Sequence, residues 1–249
     1  MEQSRTSALL QGAVQDLASG VASALRGGGH ASPSGDVLRD GTANGVVLAA
    51  VRVLGADLLL PCVLFRTAPS EPERDAVQEA VRAFPPRPDA APTVAWSHWG
   101  MVRALRRADA GFTHTPLPSL DDLDSPASPG PPGPPVEPDT GWLRDDSWQT
   151  LTHRLALLSA LAVPGEDGAV ARGAQQRVVD LSRGFVRAVR RRDWRQAAGA
   201  GRWLALLRDV PETLGLDAGL DFVELMGGDD ACVALQVRAA RLMRTRVPA

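Results

Sequence analysis

The chain contains no lysine, no isoleucine and no tyrosine. Without lysine there is no amine to form a Schiff base or anchor pyridoxal phosphate, and no P-loop lysine to hold a nucleotide's phosphates. All 27 basic side chains are therefore arginine, a group that stays charged and favours forked contacts with carboxylates. With the wealth of Ala, Gly, Pro, Val and Leu, these absences point to a GC-rich coding sequence and a bacterial source.

Cysteine is scarce. Cys62 and Cys232 are far apart, each in an apolar run, where a free thiol behaves as a small buried hydrophobe. This argues against a disulfide framework and for a reduced compartment. Residues 1–20 are amphipathic and lack the basic region and unbroken apolar core of a secretory signal. The longest apolar stretch, Gly45–Phe65, is interrupted by Arg52, Asp57 and Pro61, so it does not read as a membrane span. The expectation is a cytoplasmic protein with no membrane contact.

Familiar chemical motifs are missing as well: no HExxH, no CxxC, no Ser-centred elbow and no Gly-rich phosphate loop. Gly27-Gly28-Gly29 reads as a helix stop. Cofactors and metals are not expected. His98 and His114 are sixteen positions apart, and Asp121, Asp122 and Asp124 fall in a polar stretch, so a metal site drawn from them has no helical pairing to build on.

What is present divides the chain in three. Thr115–Gly141 holds nine prolines. Such a stretch buries too little surface to offset its ordering entropy and favours extended, polyproline-like backbone. The expected plan is residues 1–115 as a mixed α/β domain, 116–141 as a linker, and 142–249 as an all-α helical domain. Net charge is −2. The halves differ: residues 1–140 carry 11 Arg against 16 acidic residues, and residues 141–249 carry 16 Arg against 13.

In the first part, Leu10, Val14, Leu17, Val21 and Leu25 repeat at helical spacing over 4–26. Val46–Leu54 and Leu58–Arg66 flank Gly55-Ala56-Asp57 and read as a β-hairpin apolar on both faces, with a helix over 44–54 as the alternative. Ser70 and Glu73 have capping-box spacing for a helix that Pro85–Pro88 ends. Thr93–Trp96 reads as a short strand handing over to a helix capped by Ser97. The fold class expected is thus α+β overall. After the linker, helices are expected near 145–162, 166–192, 193–209, 216–227 and 229–246, with Asp193 as an N-cap, forming a bundle.

Two places stand out as candidate sites. His98 lies in Trp96-Ser97-His98-Trp99, at the expected strand-to-helix junction, with Arg103 following. Strand ends and helix starts gather anions, so an enzyme on a small anionic substrate would use His98, with Trp99 and Arg103 in binding. The bland reading is that the histidine and its tryptophans seal the core. Cys62 as a nucleophile with His98 as base lacks any supporting signature. The second place is the cluster Arg183, Arg187, Arg190, Arg191, with Arg192 and Arg195 beside it. Its face could be solvated, or meet an acidic protein or the chain's own N-terminal half; nucleic acid is disfavoured by the net charge and the few interleaved aromatics. The leading expectation is a non-catalytic adaptor or regulatory subunit with a protein partner, and the competing class is the His98 enzyme.

Overall fold

The computed structural model of the chain describes residues 2–28, 38, 45–110 and 135–246. Its order is α1 (Glu2–Arg26), α2 (Gly45–Leu54), a 3-10 turn (Gly55–Leu59), α3 (Leu60–Phe65), α4 (Glu71–Ala83), α5 (Pro92–Ala110), α6 (Trp142–Asp145), α7 (Trp148–Leu157), a 3-10 turn (Ser159–Leu161), α8 (Ala169–Gln176), α9 (Val178–Arg190), α10 (Trp194–Leu204), a 3-10 turn (Glu212–Leu214), α11 (Leu216–Gly227) and α12 (Ala231–Arg246).

There is no strand among the described residues, so the expected α+β class is overturned and the fold is helical. The supposed hairpin is α2, a 3-10 turn and α3. Much of the segment is buried by helix packing, with Val51, Leu54, Leu58, Leu59, Leu60 and Leu64 in the core, although Val53 is exposed; no sheet is involved. Pro61 sits in the first turn of α3, where its missing N–H costs nothing; in a central strand it would break the ladder. Gly45–Phe65 is long and apolar enough to cross a membrane by length and composition, but most of that stretch is buried inside the protein. The expected strand Thr93–Trp96 is the first turn of α5. Pro92 opens that helix, one turn before the Ser97 cap that the sequence suggested.

Other local signals act as their chemistry dictates. The Ser70–Glu73 capping box is formed at α4. The Asp193 side chain accepts from the Gln196 N–H and caps α10. The expected long helix over 166–192 is α8 and α9, parted at Arg177, whose guanidinium holds the Asp180 carboxylate and the Leu143 and Asp146 carbonyls.

Two apolar clusters fill the interior. One holds Trp96, Trp99, Trp142, Leu151, Leu155, Phe185 and Trp203 with parts of α11 and α12. The other holds Leu17, Val21, Val51, Leu59, Val77 and Met101 with Leu235, Ala239 and Met243 of α12. Residues from both sides of 116–141 contribute to each. The domain boundary expected there falls largely outside the described residues. Its far end, from Pro135, is tied down. The Trp99 indole N–H donates to the Pro135 carbonyl at 3.1 Å and the Trp96 indole to Asp139 at 3.0 Å. Glu137 accepts from the Ala169 N–H at the start of α8, satisfying a donor that the helix leaves open.

A basic groove along α9

α9 is strongly two-faced. Leu181, Phe185 and Ala188 are buried in the core. Val179, Arg183, Val186 and Arg190 repeat at intervals of four, three and four and so form one outward stripe, with Arg187 beside it. This stripe floors an open groove of about 1050 Å³. Trp148, at the start of α7, and Pro211, Thr213 and Leu214 complete its lining. A second depression of about 580 Å³ shares Trp148, Arg187 and Arg191 and extends toward Arg192 and Gln196.

Among the described residues, no acidic side chain pairs with Arg187, Arg190, Arg191 or Arg192. Arg183 reaches only Asp180, at 3.6 Å, and Arg177 holds that carboxylate at 2.6 Å. Arg187 lies over the Trp148 ring, 5.7 Å from its centroid, a cation–π contact that leaves its positive charge intact. Arg241 and Arg244 of α12, by contrast, pair with Asp221, Glu224 and Asp217 of α11. Beside these charges Val179 is 52% exposed and Val186 39%. No carboxylate, histidine or cysteine lines the main groove, and its one serine hydroxyl, Ser182, donates to the Val178 carbonyl.

The four arginines read from sequence are thus brought together. What sequence missed was the walls, Trp148 and Pro211–Leu214. Trp148 is about ten helical turns of chain away from the cluster, and no local pattern links it to α9.

The other candidate place has a different character. His98 sits within α5, half-buried. Burial first, and the nearby Arg52 second, pull its pKa below the ordinary histidine value, while a bond to the Phe84 carbonyl works the other way. Its Nδ1 is buried without a partner. Arg52 is occupied by Ser97 Oγ at 2.9 Å and the Val94 carbonyl at 3.1 Å. Trp99 is in the core, packed edge-on against Trp96. Arg103 stacks over Trp99 and pairs with Glu166 at 2.9 Å, and Arg107 reaches the same carboxylate at 3.2 Å. The cavity bordered by Trp99, Arg103 and Glu166 holds about 20 Å³, room for about one water and not for a larger ligand. The positive charge near His98 is therefore spent on the fold.

Cys62 is buried, and burial, helped by Glu73, pushes its thiol up to about 11; it is protonated at neutral pH and a poor nucleophile. Among the described residues no three His, Cys, Asp or Glu side chains converge as metal ligands. His114, Asp121, Asp122 and Asp124 lie outside the described residues. No family model, no curated protein and no solved structure matches the chain.

Proposed function

We propose that this protein is a non-catalytic interaction module, an adaptor or regulatory subunit, that recruits an acidic partner protein through the groove along α9. The observation that carries the reading is that the guanidinium groups of Arg187, Arg190 and Arg191 have no acidic partner among the described residues and line one groove with exposed valines. Free arginine charge beside apolar surface is what protein partners use, because the charges steer encounter and the apolar area supplies burial energy. Nucleic acid is less well served. The only aromatic in the groove, Trp148, is already covered by Arg187, and a stacking platform is what single strands need. A reduced cytoplasmic setting is part of the same proposal.

Affinity purification from the native host, followed by binding measurements with the acidic protein recovered, tests the reading. Replacing Arg183, Arg187 and Arg191 together with Gln should weaken binding by roughly tenfold or more and flatten its salt dependence, with the helical circular dichroism unchanged. Unchanged affinity across a salt series would overturn it.

A further inference from the structure

The recurring modes of peptide recognition can be sorted against this groove. Strand addition needs a free sheet edge, and no strand exists among the described residues. Polyproline recognition needs open aromatic slots, and Trp148 is capped by Arg187. A single phosphate needs guanidinium groups converging on one point. Arg187 with Arg190 or Arg191 could share one phosphate, but Arg183 and Arg190 are a rise of about 10 Å apart, so a single phosphate would leave part of the set and the exposed Val179 and Val186 uncovered. What remains is a helix laid in a groove.

The stripe itself argues for that occupant. From Val179 to Arg190 it runs about 16 Å, or three helical turns. Along it apolar and basic residues alternate: Val179, Arg183, Val186, Arg190. A ligand complementary to this order must present apolar and acidic groups alternately on one face, at intervals of three and four residues. The volume of about 1050 Å³ is at the upper end of small-molecule clefts and open along its length, which suits side chains of a passing helix.

We infer that the occupant is an amphipathic acidic helix of a partner protein, laid along α9 with its apolar side chains against Val179 and Val186 and its carboxylates against Arg183, Arg187 and Arg190. This inference rests on the reading of the groove as a docking surface for an acidic protein. The valines discriminate the helix from a merely acidic chain, because charge alone does not need them.

The test uses the full chain and synthetic probes of about 18 residues, long enough to hold helix. The first probe places Leu on one helical face with Glu flanking it. The second has the same residues reordered so that Leu is scattered round the helix. The third is polyglutamate, and the fourth a single-stranded oligonucleotide. Fluorescence anisotropy should show the first probe bound at least roughly tenfold more tightly than the second or third. Val186→Asp should remove that preference, and Arg187→Gln with Arg190→Gln should weaken the first probe and flatten its salt slope. Both variants change exposed side chains, so retained melting temperature confirms folding. Equal binding of the first three probes would overturn the helix while leaving acidic-partner recruitment intact. Binding of the oligonucleotide alone, or of none of the four, would overturn both.

Discussion

His98 meets opposing demands at the scale of one residue. Its imidazole is half-buried beside the Arg52 guanidinium, and both burial and that charge favour the neutral ring. The folded value therefore lies below the unfolded one of about 6.5. A group of this kind gives stability that is fully present above the unfolded value and is lost as pH falls through the folded one, because the unfolded chain takes up the proton first. Melting temperature measured from about pH 7.5 down to 5 should fall more steeply in the wild type than in His98→Gln, which keeps a donor for the Phe84 carbonyl. Parallel slopes in the two proteins would show that His98 titrates as freely in the fold as out of it. The same comparison bears on chemistry: surroundings that favour the neutral ring weaken a histidine as a partner for an anion.

At the scale of elements, helix contact is set by what the smallest residues permit. α7 and α10 cross where the Ala156 backbone meets Gly199: a methyl group placed at Gly199 would lie 2.6 Å from the Ala156 carbonyl oxygen. Nearby the Trp203 indole donates to the Leu155 carbonyl at 2.7 Å, which locks the register. Gly199→Ala should therefore cost about 2–3 kcal/mol despite alanine's better helix propensity, since the obstacle is backbone and cannot rotate away. For a chain of this size that is a drop of roughly 4–9 °C in melting temperature, read by calorimetry. A neutral or stabilising result would mean that the crossing is looser than this geometry.

Elements of this kind were partly legible in the sequence. The Ala197–Gly201 run announces close approach, and Ser70–Glu73 and Asp193 announce helix starts, because each signal is local. The stretch 45–65 was legible only in part: the helix kept as the alternative over 44–54 is α2, while the preferred hairpin does not form. With few polar residues it shows no clear period of 3.6, and its valines favoured a strand, which Pro61 opposes. The α9 arginines could be placed on one helical face from spacing alone. That Trp99 packs into the core was one of the two readings the sequence allowed; its partner, the Pro135 carbonyl, and the Glu166 partner of Arg103 could not be seen, because both are distant in sequence and no pattern points back to them.

For the whole molecule the decisive contact spans 145 positions. Arg202 of α10, fully buried, donates to Asp57 Oδ1 at 2.7 Å, to Gln236 Oε1 at 2.8 Å and to the Ala162 carbonyl at 3.0 Å, while Gln236 donates to Asp57 Oδ2 at 2.7 Å. Asp57 belongs to the turn between α2 and α3, Gln236 to α12. Charges this deep repay their desolvation only while every partner is in place. Both apolar clusters border this network, so neither can open without exposing an unpaired charge. Two sets of native probes can show whether they open together. Trp96, Trp99, Trp142 and Trp203 lie in one cluster. Cys62 lies on α3, between residues of the other cluster, against which Cys232 packs. Tryptophan emission and pulsed thiol labelling across a urea series should therefore give one shared midpoint. Asp57→Ala, which strands the Arg202 guanidinium, should lower stability by about 3–5 kcal/mol and move both midpoints together. Pairing it with Arg202→Met should recover much of the loss, as removal of a whole buried pair commonly does. Thiols that label at lower urea than the tryptophans respond would show two units that unfold apart, each drawing residues from both sides of 116–141.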